Sequence, residues 1–491
     1  MMLLGDLLHD LPGTRLRGPR RCSIQRVVLD SRMVQPGDLF AALEGERNNG
    51  KLFVDEAVHR GAVAVLSDPP KPPGCNSSVA WVECEHPRRT LAQMVRRLHG
   101  APDARLSVVG ITGTDGKTTT AHLLSSALFA NGIPTAISGT LGQSFGRIGD
   151  GASLTTPEAP EIYAFLSEVE REGAQVAALE VSSAGLVADR TYGMRFVGAV
   201  LTGIGHDHLD LHGSQEAYLA AKRTLFEQLG ASAFAVLPRD CPEYENFARA
   251  AACPKISFGL SEDADWRVVD HSSHIGGASF RLVGPDFEEE IHFDRPADWD
   301  ALNLAAAVAA AAQLGADPSM AARGAAACPP IPGRWEVIDE GQPFAAIVDY
   351  AHTPQALERA LRQLRGMNPS RVILVFGCGG DRDRDKRPLM GRIAAELADL
   401  VILTDDNPRQ ENPEQIARET AVGLREGHAE WQRIASRAEA IAHAVAQAQP
   451  GQALLVAGKG HETWQEIGHR REPFDDREVL AEALRTVGAR S

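Results

Sequence analysis

The chain lacks several features that would assign it to a simple class. It has no positive excess: 50 Lys and Arg face 65 Asp and Glu, a formal net charge of −15. A surface that acidic repels phosphate backbones, so no nucleic-acid partner is expected. Its seven cysteines, at 22, 75, 84, 241, 253, 328 and 378, form an odd set without a CxxC pair. That argues against a disulfide framework or a zinc knuckle and fits reduced thiols in the cytoplasm. No apolar run approaches the ~18 residues of a membrane span. Residues 1–10 show no basic start followed by a long apolar stretch, so no signal peptide is expected. No repeat of fixed period is visible. With 44% hydrophobic and 23% charged residues, disordered, collagenous and coiled-coil readings drop out. At about 100–200 residues per domain, the length predicts about three domains. The expectation is a soluble, acidic, multidomain cytoplasmic protein.

What is present is an α/β alternation. Up to about residue 100, strands are expected at 27–29 and 62–66, with helices at 54–60 and 90–99. Residues 101–103 read as a linker. From 104, apolar strands (106–111, 176–181, 196–201, 233–237) alternate with helices (118–130, 301–314), which predicts a mainly parallel sheet covered on both faces. Cys328-Pro-Pro-Ile-Pro-Gly333 marks a second break, where proline stops any element. The last third repeats the alternation, with strands at 345–348, 372–376, 401–403 and 453–456. Helices are expected at 355–365, 388–398, 413–425, 437–447 and 476–485. The expected units are 1–102, a smaller α/β domain; 103–332, a central domain of the P-loop ATPase type; and 333–491, a Rossmann-like α/β domain.

The sharpest local signal is Gly113-Thr-Asp-Gly-Lys-Thr-Thr119, between an apolar strand and a helix. Inward-pointing backbone N–H groups in such a loop cradle phosphate oxygens, helped by the helix dipole. Glycines at 113 and 116 let the backbone approach the anion. Lys117 would neutralise β- and γ-phosphates, and the Thr118 hydroxyl would ligate Mg²⁺. The longer GxxxxGK[ST] pattern fails at Ile111, while the GxxGK[ST] core is intact. The loop alone leaves ligase, kinase, transport ATPase and GTPase-like switch open.

Other polar clusters also follow strands, where parallel sheets bind ligands. Glu180 ends one strand and is placed to hold Mg²⁺. The 203–213 loop carries His206, Asp207, His208, Asp210 and His212. It reads as a metal or phosphate site, with zinc as an alternative but no cysteine nearby and no HExxH. Lys222 follows on a helix, where a lone lysine is normally solvated. In the last third, residues 376–388 and 404–413 cluster Gly, Asp, Asn and Arg, and Gly458-Lys-Gly-His-Glu462 adds a further polar loop after a strand. Such groups suit a ligand with ammonium and carboxylate groups, Arg binding the latter bidentately.

Taken in order from Asp30-Ser-Arg32 to Asp475-Asp-Arg477, these motifs resemble the Mur ligase family of peptidoglycan synthesis, in its diaminopimelate-adding branch. The resemblance implies three domains that bind a uridine nucleotide, ATP and an amino acid in turn. It implies that ATP phosphorylates the γ-carboxyl of a D-Glu residue. The amine of meso-diaminopimelate then attacks the acyl phosphate. Leu29, Ser31 and the Glu46-Arg47-Asn48 loop fall at its uridine-side positions. Thr155, Thr156, Ser182 and Arg190 match muramoyl-peptide contacts. Gly113, Thr114, Asp115, Gly116, Lys117, Thr118, Thr119, Asn303, Arg334 and Asp349 match the ATP site. Thr118, Glu180 and His208 stand at magnesium positions, and Lys222 matches a lysine carrying a CO₂-derived carbamate. Arg387, Asp406, Asn407, Pro408, Arg409, Gly458 and Glu462 match the amino-acid site. Lys117, Glu180, His208 and Lys222 would carry the chemistry. The partners implied are small-molecule substrates, and the chain is expected to act as a monomer. Alternatives are another diamino acid such as lysine, a paralogue that binds the nucleotide substrate without catalysis, and a P-loop ATPase driving motion or transport.

The chain departs from the family pattern at four places. Ala184 stands where His follows Ser-Ser, His206 replaces an Arg, Asp300 replaces the first Asn of an Asn-x-x-Asn pair, and Asp115 replaces Asn before Gly-Lys. Asp115 sets a negative charge beside phosphates, which calls for an offsetting metal or hydrogen bond.

Overall fold

The computed structural model describes residues 1–45, 48–146, 154–205, 209–274 and 276–488. They form three main sheets, each at least partly parallel. The first runs Thr14–Arg17, Ala80–Cys84, Ala64–Ser67, Leu39–Ala41, Val27–Val28, antiparallel only at its first pair. The helix Pro87–Leu98 buries Leu91, Met94 and Val95 in a core shared with Ile162, Tyr163 and Leu166 of the helix Ala159–Arg171. Each such fully buried side chain contributes about 1.5–3 kcal/mol. The first and second sheets are therefore joined by continuous apolar packing. Residues 101–103, expected as a linker, are built into that joint. Pro102–Ala104 forms a 3₁₀ turn, and buried Asp103 accepts from Arg96 Nε and from the Arg195 backbone N–H.

The second sheet is centred on Ser107–Thr112, flanked in parallel by Val176–Glu180 on one side and Gly198–Leu201 on the other. The chain thus leaves the central strand in opposite directions, which opens a crevice at the carboxyl ends. Thr135–Gly139 extends the sheet on the Val176–Glu180 side, and Phe234–Pro238 and Lys255–Gly259 extend it on the other, all in parallel. The sheet also carries strands that continuous apolar runs did not announce. Gly142–Ser144 adds an antiparallel edge, and Trp266–His274, Gly277–Gly284 and Phe287–Phe293 form an antiparallel meander. In the meander, core residues (Trp266, Val268, Phe280, Leu282, Ile291, Phe293) alternate with polar ones, so only one face is buried.

Lys117–Ala130, Asp298–Gln313 and Pro318–Ala326 cover one face of this sheet. The alanines of Asp298–Gln313 let helices approach closely, and Gly324 has no room for a side chain against Ala130 and Ser126.

The third sheet runs Glu336–Val337, Ala345–Asp349, Ala453–Ala457, Val372–Phe376, Leu400–Leu403, Glu430–Arg433, antiparallel only at its first pair. Helices lie on both faces, including the expected Pro354–Gly366, Lys386–Leu397, Pro413–Leu424 and Arg437–Gln447. Arg437 and Asp476, both fully buried, pair at 2.7 Å and tie two helices to the Ala457 carbonyl. The hairpin Trp464–Ile467 with Arg470–Pro473 was not foreseen. No helix of the described residues is long and apolar enough to cross a membrane.

Candidate active site

The phosphate loop closes the central strand of the second sheet. Gly113 and Gly116 take φ of +150° and +84°. A Cβ at Gly113 would fall on Thr202 Oγ1, and one at Gly116 would come within 2.6 Å of Asn303 Oδ1, so glycine is required at both. The Thr114 N–H donates to the Gly203 carbonyl at 2.9 Å. Thr202 Oγ1 donates to the Asp115 carbonyl. The Lys117 ammonium curls over the loop and donates to the Gly113 and Thr114 carbonyls at 2.9 and 2.8 Å. Lys222 reaches the same place from the helix Gln215–Glu227. It is only 2% exposed, lies 4.6 Å from the Tyr218 ring centre and donates to the Gly113 carbonyl at 2.8 Å. The solvated reading of a lone helix lysine therefore fails for Lys222.

Glu180 ends its strand with 1% exposure. Its carboxylate accepts from Thr118 Oγ1, the Thr140 N–H and Thr140 Oγ1, each at 3.0 Å. All three donors are neutral, so a buried negative charge faces the helix opening without a cation among them. Hydroxyl and carboxylate oxygens suit a hard cation such as Mg²⁺, which keeps few protein ligands and takes the rest from water and phosphate. Among the described residues no group of three His, Cys, Asp or Glu could hold a metal. The expected ligand His208 lies outside the described residues, with His206 and Asp207. Glu46 and Arg47 lie outside them too.

The expected peptide contacts adjoin Glu180. Thr155 Oγ1 lies within hydrogen-bond distance of Thr140 Oγ1, at 3.0 Å, and Thr156 Oγ1 donates to the Glu180 carbonyl at 2.9 Å. Ser182 caps the following short helix by accepting from the Gly185 N–H. Arg190 donates to the Thr156 carbonyl and pairs with Glu158, which also pairs with Arg88 of the first unit. Of the uridine-side candidates, Leu29 is half-buried and Asn48 exposed, while buried Ser31 donates to Glu56 at 2.7 Å.

The third sheet meets the loop through Arg334. Its Nη2 donates to Thr118 Oγ1 at 3.3 Å, and its guanidinium stacks 4.5 Å from the Tyr350 ring. Tyr350 in turn packs on His352 and His461, with ring centres 4.5 and 4.9 Å apart. Burial, then Arg334 and Arg477, push His461 down to about 3, so it is neutral. Asp349 accepts from the Trp335 and Ala351 N–H groups, fixing the start of this segment. Gly333 and Gly460 touch backbone to backbone: a Cβ at Gly333 would lie 2.1 Å from the Gly460 carbonyl carbon.

Beyond this contact lies a second crevice. Asn407 donates to Glu462 at 2.7 Å and accepts from buried Lys459 at 3.1 Å. Gly458 faces Asp406, with only 2.8 Å between a Cβ there and Oδ2. Arg409, at φ +50°, donates through Nε to Glu466 at 2.9 Å and through Nη1 to the Gly380 carbonyl at 2.8 Å. Pro408 precedes it in the turn. Arg387 is completely buried: Nη1 and Nη2 donate to Glu411, Glu419 and the Gly379 carbonyl. The Arg387 guanidinium beside Glu411 holds that carboxyl down to about 2.

Sequence reasoning missed Lys459, Glu466, Tyr350 and Arg359. Lys459 lies within the 458–462 cluster and Tyr350 directly follows Asp349, whereas Glu466 sits on the unforeseen hairpin. Arg359 stands on the helix Pro354–Gly366, pairs with Asp115 at 3.1 Å and stacks 4.7 Å from Trp299. It also walls a groove of about 460 Å³ with His271, Ser273 and Asp298. Asp300, expected as Asn, is 3% exposed, and its Oδ2 has no hydrogen-bond partner among the described residues.

Comparison with known proteins agrees with this geometry. Three family models match in turn: "Mur ligase family, catalytic domain" over 23–99, "Mur ligase middle domain" over 111–311, and "Mur ligase, glutamate ligase domain" over 333–460. The chain belongs to the Mur ligase family. Its three-domain α/β architecture is the family's, and ATP and Mg²⁺ are the family's general co-substrate and cofactor. Among curated relatives, a UDP-N-acetylmuramoyl-L-alanyl-D-glutamate–2,6-diaminopimelate ligase of Solibacter usitatus is 41% identical, with 99% of each chain covered. One of Geobacillus thermodenitrificans is 39% identical, again with 99% of each covered. A solved structure of a ligase of that name superposes with a TM-score of 0.70 at 31% identity, covering 99% of this Mur ligase and 100% of that chain. A Mycobacterium tuberculosis folylpolyglutamate synthase shares the fold, with a TM-score of 0.64 at 18% identity, covering 82% of this chain and 96% of that one.

Proposed function

We propose that this Mur ligase joins meso-2,6-diaminopimelate to the γ-carboxyl of D-Glu in UDP-N-acetylmuramoyl-L-alanyl-D-glutamate, using ATP. The carrying observation is the continuous contact Thr118–Arg334–Tyr350–His461, which links a phosphate loop to an Asp-Asn-Pro-Arg crevice. Full-length identity near 40% to ligases so named supports the same reading. In it, residues 1–102 hold the uridine nucleotide, 103–332 hold ATP and the peptide, and 333–491 hold the amino acid.

The geometry supports the following roles. Lys117 leaves the loop carbonyls for the terminal phosphates. Thr118 and Glu180, with His208, would hold Mg²⁺, which when bound neutralises charge on the phosphoryl group. Thr155, Thr156, Ser182 and Arg190 position the peptide beside Glu180. The acyl phosphate formed there must be kept from water, which the Arg334 contact between domains serves. Arg409 receives the distal carboxylate of diaminopimelate, and Asp406, Asn407 and Glu462 receive its ammonium end. Arg387 holds the crevice floor from below. Lys222, buried against the loop, carries a carbamate that turns a cation into an anionic ligand. On this reading the chain acts in the cytoplasm as a monomer.

The test is product formation. ADP and phosphate should form only when the UDP-muramoyl dipeptide and diaminopimelate are both present; turnover without either rejects the ligase reading. Diaminopimelate, lysine and ornithine assayed side by side decide the amino acid. Lys222→Ala should lose activity and regain part of it with short-chain carboxylates; full activity in that variant rejects the carbamate.

A further inference from the structure

The phosphate loop of this chain carries a carboxylate, Asp115, where it must receive a polyanion. An unbalanced negative charge there would repel the nucleotide. The compensation comes from the other side of the domain junction. Arg359, on a helix of the third unit, donates through Nη2 to Asp115 Oδ2 at 3.1 Å. Its guanidinium is fixed by stacking 4.7 Å from Trp299, at the start of the helix that carries Asn303 against Gly116. The helix itself is held to the second unit, since Gln363 donates to the Pro296 carbonyl at 3.0 Å.

We infer that Arg359 is a positioning residue for nucleotide binding, acting through Asp115: it neutralises the loop carboxylate only when the third unit is docked. The inference rests on the ATP reading above. Nucleotide affinity then depends on domain docking, because undocking restores the repulsive charge.

A double-mutant cycle with Mg-ADP as probe, read by calorimetry on the full chain, tests it. Arg359→Gln should weaken Mg-ADP binding about five- to tenfold, and Arg359→Lys should retain most of the affinity. In the Asp115→Asn background, Arg359→Gln should cost less than about twofold. The native-background effect should shrink as salt rises, because both partners are partly exposed. Equal losses in both backgrounds would overturn the inference, since Arg359 would then act through Trp299 packing alone. A native chain that does not bind Mg-ADP overturns the ATP reading as well, which separates the two failures.

Discussion

The phosphate loop and the Asp-Asn-Pro-Arg crevice occupy equivalent places, beyond the carboxyl ends of parallel strands, but they are built by opposite means. The loop is shaped by backbone: two positive-φ glycines, carbonyls that receive Lys117 and Lys222, and a buried Glu180 held by neutral donors. Its lysines rest on backbone carbonyls. The crevice is shaped by side-chain ion pairs: Arg387 with Glu411 and Glu419, Arg409 with Glu466, and Lys459 with Glu462. Its charges are already satisfied. On the proposed reading the loop would bind a triphosphate through its backbone, whereas the crevice would discriminate, because a ligand must fit among existing pairs.

That contrast can be broken first at Arg387. Arg387→Ala leaves two carboxylates without their buried partner and should cost about 3–5 kcal/mol of stability in urea unfolding. A loss under 1 kcal/mol would show that the crevice is not held by its pairs. Next, Lys117→Ala should lower kcat about 10³-fold with every amino acid alike, at unchanged melting temperature. Arg409→Ala should lower kcat/KM for diaminopimelate about 30-fold more than for lysine; equal losses would remove its role in choice. Smaller still is the acid limb. Glu411 has its pKa lowered from 4.5 to about 2, so its stabilisation is complete above 4.5 and is lost as pH falls toward 2. In Glu411→Gln the midpoint of urea unfolding should flatten across that window. Asp300 runs the other way: burial, only partly offset by Arg295, raises its pKa from 3.8 to about 6. Its folded form disfavours the charge, so stability falls as pH rises through 3.8–6. Asp300→Asn should gain about 1 kcal/mol at pH 8 and none at pH 3.5, by thermal unfolding at the two pH values.

The same contrast explains what could be read in the chain beforehand. The Gly113–Lys117 spacing is legible because glycine and the helix start are local requirements. Parallel strands such as 372–376 and 453–456 are legible because burial on both faces makes them continuously apolar. The meander over 266–293 is not, since one buried face yields alternation and a register shift falls between Val269 and Ser272. Glu466 and Arg359 could not be read either. Each acts across a long separation, 57 residues to Arg409 and 244 to Asp115, and their helix or hairpin neighbours carry no motif.

The Gly333–Gly460 contact gives the joint between the second and third domains a mechanical property. The chain crosses from one domain to the other at a point that is also the wall of the crevice, with no side chain between. Where the chain enters the third unit it therefore rests directly on the 458–462 loop. A methyl group at either glycine would drive the two backbones apart and shift the 458–462 loop by a single substitution.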